Sequence, residues 1–142
     1  MVDKHNPIVG VGALVQHEGK VLLVQRGNPP YQGQWCIPGG KVRFGESLQQ
    51  AVEREILEEA GIVVKAREPI FCFDIIDSDN QENPLHYVVI DLLAEYVSGE
   101  IRPGSDAPEV AWMTRDEINA CEVQETTRRL LERWWSRELD GI

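Results

Sequence analysis

The stretch Gly40–Ile62, GKVRFGESLQQAVEREILEEAGI, constrains this chain more than any other. Ser47 followed by Gln50 has the spacing of a capping box, and Gly61 is the residue type that ends helices by entering the left-handed region. A helix is therefore predicted over about Leu48–Ala60. On it, Leu48, Ala51 and Val52 begin an apolar face that turns acidic where Glu55 and Glu59 fall one turn apart, with Glu58 beside them. Ile56, Leu57 and Ala60 occupy other sides, so burial on more than one face is expected. Carboxylates at the end of a mostly buried helix are unfavourable unless positive charge joins them. A divalent cation meets that need. So, in part, does Arg54, whose i, i+4 spacing to Glu58 is that of an ordinary pair worth about 0.3 kcal/mol on an exposed helix.

The rest of the composition narrows the class. A chain of 142 residues fits one domain over 1–142 and is long enough for a core. No apolar run reaches the length of a membrane span, and the first residues lack a basic, hydrophobic leader pattern, so no membrane association is expected. Cys36, Cys72 and Cys121 form no CxxC pair and are odd in number, which argues against a disulfide framework or structural zinc and favours a reducing cytoplasm. The formal charge of −10 repels phosphate backbones, so long nucleic acid is a poor partner. A small phosphate ester accompanied by a cation is not excluded by that charge.

Along the chain, Ile8–Gln16 and Val21–Gln25 read as a hairpin about His17–Lys20, and 26–34 reads as a loop. Trp35–Ile37 is a short extended piece, and Pro38-Gly39-Gly40 a sharp turn. Ile62–Ala66 and Ile70–Ile76 read as two strands, Leu85–Tyr96 as a long strand buried in part on both sides, and Glu109–Met113 as a short one. Thr114 with Glu117 is a second capping box, and a last helix is predicted over about Gln124–Glu138, with Leu130, Leu131 and Trp134 on the core. Trp134 and Trp135 pack either on the domain or on a second subunit, which leaves monomer and homodimer both open. Strands interspersed with helices at both ends of the chain suggest a mixed sheet covered by helices, an α/β class.

The opening stretch resembles the Nudix box, Gly-x5-Glu-x7-Arg-Glu-aliphatic-x-Glu-Glu-x-Gly-aliphatic, and matches it at Gly40, Glu46, Arg54, Glu55, Ile56, Glu58, Glu59, Gly61 and Ile62. Trp35-x-x-Pro38-Gly39-Gly40 before the box and Trp112 before Asp116-Glu117-Ile118 extend the resemblance over roughly residues 8 to 133. It implies a Nudix α/β/α sandwich with a mixed β-sheet and a loop–helix–loop box. It also implies a hydrolase that cleaves the phosphoanhydride of a nucleoside diphosphate linked to another moiety, with Mg2+, for which Mn2+ can substitute. Hard carboxylate oxygens suit such ions better than zinc.

Carried over residue by residue, the resemblance implies metal ligation by Glu55 and Glu59, with Glu58 as a third ligand or as the base that takes the attacking water's proton. Arg54 belongs with these catalytic groups as the cation that orients a glutamate. Gly39 and Gly40 let the backbone approach a phosphate, and Gly40 can offer a carbonyl to the metal. Glu46 either ligates through water or braces the loop, the second being favoured. Arg26, Lys41 and Arg43 are candidate phosphate partners, each also readable as a plain surface charge. Trp35 and Tyr31 are candidate stacking platforms for a base, although Trp35 also suits the core. Asp106, or Glu109, either supplies a carboxylate from the late loop or caps it.

Downstream features that separate the subfamilies are not matched. Asp77-Ser78-Asp79 stands where the ADP-ribose class has a proline, Pro84 falls too late, and neither the NADH-class run nor the diadenosine-class tyrosine is present. The layout still resembles small MutT-like and ADP-ribose pyrophosphatase-like proteins. An ADP-ribose-like compound or a nucleoside triphosphate is thus the expected substrate and the sole expected partner class. The alternative is a Nudix-fold module that senses a nucleotide without turnover, against which the retention of Glu55, Glu58 and Glu59 argues.

Overall fold

The computed structural model describes residues 6–28, 31–77, 79, 82, 84–104 and 109–140. Its elements run β1 (Ile8–His17), β2 (Lys20–Gln25), β3 (Trp35–Cys36), β4 (Gly39–Lys41), α1 (Leu48–Ala60), β5 (Val63–Asp77), β6 (Leu85–Ser98), β7 (Glu109–Met113), α2 (Arg115–Asn119) and α3 (Glu125–Asp140). Among the described residues seven strands form one sheet, with the path β3-β2-β1-β6-β5 and with β4 and β7 pairing β1 and β2. The sheet is mixed because β1 and β6 run parallel, while the other pairs are antiparallel.

Strand alternation sorts the apolar side chains into two cores. Val11, Ala13, Val15, Leu22, Leu92 and Ala94 face one way and meet Ala51, Val52, Ile56 and Ala60 of α1. Leu14, Val21 and Leu23 face the other way and meet Ile118 of α2 and Leu130, Leu131 and Trp135 of α3. The result is a three-layer α/β/α sandwich, as expected. Ile56 has no exposed surface, so truncating it to alanine costs about 2–5 kcal/mol.

Helix α1 spans the predicted residues. Ser47 Oγ accepts from the Gln50 N–H, Gln50 answers the Ser47 N–H, and Gly61 closes the helix at φ 76°. Leu57, expected in the core, is 52% exposed, so α1 buries one stripe only.

Two other expectations are corrected. The two strands read either side of Glu68-Pro69 are one strand, β5, with register shifts flanking Pro69. A proline lacks the N–H a ladder needs, and an edge strand absorbs that loss in a bulge without breaking. Pro38-Gly39-Gly40, read as a sharp turn, leads directly into β4, whose Gly39 and Gly40 pair with Gly12 and Val11. A Cβ on Gly39 would lie 2.0 Å from the Val11 carbonyl oxygen, so that glycine serves close approach of two backbones.

Candidate active site

The last turns of α1 and strand β4 together assemble the acidic residues of the box. Arg54 lies at the centre, and its guanidinium is almost fully used. Nε donates to Glu46 Oε2 at 2.6 Å and Nη2 to Glu46 Oε1 and the Lys41 carbonyl, each at 2.9 Å. Nη1 donates to Glu55 Oε1 at 2.7 Å and to Glu58 Oε2 at 3.4 Å. Such a fork ties the loop before α1 to the helix itself. The Arg54 hydrogen bonds, followed by one from the Arg43 N–H, hold the Glu46 carboxyl down at about 2. The same bonds to Glu46, with those to Glu55, push Arg54 further up, so it stays charged. Glu46 therefore braces the loop in this structure.

The other acidic groups take different positions. Glu58 is half exposed and also faces Arg43 Nη2 at 3.7 Å. Glu59 turns towards β4, where its Oε2 accepts from the Gly39 N–H at 3.3 Å. Glu55 lies against the next residue along: a Cβ on Gly40 would stand 2.4 Å from the Glu55 carboxyl carbon. Two carboxylates thus lie at two consecutive glycines, Glu59 on the Gly39 N–H and Glu55 in the space that a side chain on Gly40 would fill. The loop after β6 is bound to the same helix end, with the Arg102 N–H on the Ala60 carbonyl and the Gly104 N–H on the Glu59 carbonyl, both at 2.9 Å.

Glu59, Gly39, Gly40, Lys41 and Arg26 open onto a cavity of about 550 Å3 on the α3 side of the sheet. Its walls are largely apolar, with Phe73, Ile75, Tyr87 and Val89 from β5 and β6, Tyr31 from the loop, and Thr126 and Thr127 at the start of α3. A concave, mostly apolar site with a few polar groups at one end suits a ligand with a phosphorylated end and an aromatic end. Cys36 shares this cavity, but burial, reinforced by the Glu59 charge, pushes its thiol up to about 11. It is therefore no nucleophile at neutral pH.

Trp35 is not among the residues lining the cavity; it pairs across β3 with Gln25 and packs in the second core. Arg43 stays outside as well, on Glu58. Glu109 is exposed at the start of β7, paired with Gln25. Asp106 lies outside the described residues. The sequence reading missed Asp91, a buried carboxyl in the same cavity, although one acidic residue inside the run Tyr87-Val88-Val89-Ile90-Asp91-Leu92-Leu93 was a usable signal.

Fitness for a cation can be judged from the donors. Three carboxylates and the backbone of two glycines offer only oxygen, the preference of Mg2+ and Mn2+. Among the described residues no three His, Cys, Asp or Glu side chains are gathered as a ready-made ligand set. Arg54 draws Glu55 and Glu58 to one side, and the Gly39 amide holds Glu59 to the other. All three side chains leave the last two turns of α1. The residues fit the ion in donor type.

This geometry, a glycine-flanked acidic helix end opening on a cavity of an α/β/α sandwich, defines a Nudix-type site. The NUDIX domain model matches residues 4–134, and the chain belongs to that family, grouping with its hydrolases, which in general use divalent metal ions. An ADP-ribose pyrophosphatase of Methanocaldococcus jannaschii is 34% identical over 113 residues, covering 80% of this chain and 65% of that relative. A nucleoside triphosphatase NudI of Enterobacter sp. is 27% identical over 125 residues, covering 81% of this chain and 87% of the other. The crystal structure of a MutT NUDIX hydrolase from Burkholderia pseudomallei superposes with a TM-score of 0.79 at 35% identity, over 90% of this chain and 98% of that one. Among the described residues no helix is long and apolar enough to cross a membrane.

Proposed function

We propose that this protein hydrolyses the phosphoanhydride of a small nucleotide, an ADP-ribose-like compound or a nucleoside triphosphate, with Mg2+ as the physiological ion and Mn2+ as a substitute. The observation that carries this reading is that Glu59, in the cavity lining, takes the Gly39 N–H while Glu55 lies against the adjacent Gly40. A bound divalent ion supplies charge neutralisation of the diphosphate and a more acidic water. Glu55 and Glu59 are the proposed ligands, with the Gly40 backbone beside them. Glu58, half exposed and most weakly held by Arg54, is free to act as the third ligand or to receive the proton of the attacking water. Arg54 works as a positioning residue, because its five donors keep Glu46, Glu55 and the Lys41 carbonyl in register. Lys41 and Arg26, both in the cavity lining, are the proposed partners of phosphate oxygens, and the apolar walls are proposed to exclude water from the nucleoside end. Free cysteines at Cys36, Cys72 and Cys121 support a reducing compartment, and we assign the protein to the cytoplasm.

One observation favours a second reading. Glu55 and Glu58 are already paired with Arg54, as in a module that binds a nucleotide without cleaving it. A panel of ADP-ribose, dinucleotides, nucleotide sugars and triphosphates, each with Mg2+ and scored by product mass, separates the two. Turnover of one class supports hydrolysis; tight binding with no product supports the sensor.

A further inference from the structure

Arg43, Arg54 and Arg67 each meet a glutamate, as expected in a chain of net charge −10. Arg129 and Arg133 of α3 do not. Both are exposed, and both guanidiniums lie over the ring of Phe71, 5.8 and 5.6 Å from its centroid. Among the described residues no salt bridge or hydrogen bond occupies either group. A cation over an exposed aromatic face gains only about 0.5–1 kcal/mol, and two cations over one ring repel each other. An anion seated between them would turn that repulsion into attraction.

Strand register fixes where this pair sits. Gly39 pairs with Gly12, Gly12 with Asp91 and Asp91 with Phe71, so one row crosses β4, β1, β6 and β5. Three strand spacings put Phe71 about 14 Å from Gly39, whose N–H meets Glu59. Gly39, Gly12 and Asp91 of that row line the cavity. So does Phe73, next along the same face of β5, with its ring centroid 5.9 Å from that of Phe71. From above, Thr126 lines the cavity, and Arg129 and Arg133 follow one and two turns further along α3. The two cations therefore stand beyond the apolar wall, across the cavity from the box.

We propose that Arg129 and Arg133 form a second anion subsite, which takes a phosphate monoester on the nucleoside end of the substrate while the box holds the diphosphate. This rests on the nucleotide reading above and deepens it, because it selects nucleotides phosphorylated a second time on the ribose. A guanidinium offers forked donors that match phosphate oxygens, and its long stem lets it swing from Phe71 towards the cavity mouth. The phosphate of such a substrate would share its charge between the two side chains.

The test is calorimetric titration with AMP, adenosine 2′,5′-bisphosphate and adenosine 3′,5′-bisphosphate, all with Mg2+. Three proteins are compared: wild type, the double variant Arg129→Gln with Arg133→Gln, and Arg137→Gln. Arg137 lies further along the same helix, over Trp134, and controls for bulk charge. Wild type should bind at least one bisphosphate about tenfold or more tighter than AMP. The double variant should lose that preference to within about threefold while holding AMP as before, and Arg137→Gln should keep it. Equal binding of AMP and both bisphosphates by wild type overturns the subsite. So does a preference that survives in the double variant, or one that Arg137→Gln removes as fully. Hydrolysis of ADP-ribose and the triphosphates is followed separately. Bisphosphate preference without turnover sinks the hydrolase reading alone, and turnover without that preference sinks the subsite alone.

Discussion

Replacing Asp91 by asparagine should stabilise the protein, and only above acid pH. The carboxyl's ordinary value is 3.8, and burial raises it to about 7 in the folded chain. The sign follows from proton linkage. Below about pH 4 the group is protonated in folded and unfolded chains alike, and carries no ionisation penalty. Between about pH 4 and pH 7 the folded chain holds a proton that the unfolded chain has released, so stability falls as pH rises. Above pH 7 both are ionised and the penalty is complete. A shift of about three units at about 1.4 kcal/mol each makes it about 4 kcal/mol. The other charged or titratable groups lining the same cavity are Glu59, Arg26, Lys41, Cys36, Tyr31 and Tyr87, and burial is the sole cause of the shift. Asparagine keeps the shape and cannot ionise. Thermal melts of both proteins from pH 4.5 to 8.5 should therefore diverge, the variant gaining about 10 °C at the alkaline end for a chain of this size. The remaining carboxylates titrate equally in both proteins and cancel in the difference. A gap that stays constant across the range would refute the reasoning, because it would mean that Asp91 ionises in the folded protein as it does in the unfolded one.

Other substitutions probe the box. Glu59→Gln should lower turnover on the order of a hundredfold or more while the melting curve stays close to wild type; unchanged kcat removes Glu59 from the chemistry. Turnover should vanish in EDTA and return with Mg2+ or Mn2+, and full activity in chelator would rule out the cation. Gly40→Ala should displace the Glu55 carboxylate, which is the far end of a flexible side chain, and so reduce activity with little loss of fold by circular dichroism. Arg54→Gln should let the Glu46 carboxyl rise from about 2 towards its ordinary 4.5, read by NMR titration. In wild type that depressed value contributes stability present above pH 4.5 and lost as pH falls to about 2, and the variant should lack this acid limb.

What was legible in the sequence was what local chemistry decides. Ser47, Gln50 and Gly61 delimit α1 because caps act on their own helix, and the spacing of Glu55, Glu58 and Glu59 puts all three in its last turns. Glu18 and Gly19, both at positive φ, announce the hairpin for the same reason. Long-range pairing was less visible. Nothing within Pro38-Gly39-Gly40 says that it lies against Val11 and Gly12, and a turn was the natural reading. Trp35 has the size of a stacking platform, yet β3 turns it into the core beside α3. The importance of Asp91 depends on Gly12, seventy-nine positions earlier in the chain and adjacent only through the parallel pairing of β1 with β6. Leu57 went wrong differently: apolar type suggested burial, but its position on the helix points away from the sheet.

The alternation of β6 gives this protein two independent surfaces on a single ribbon. Ile90, Leu92 and Ala94 hold the layer that carries the acidic helix, while Tyr87, Val89 and Asp91 face the ligand space. Exchanging the second set should reshape the cavity wall without loosening the acidic helix, since the two sets touch different neighbours. A scaffold wired this way can change its diet one residue at a time and keep its teeth where they are.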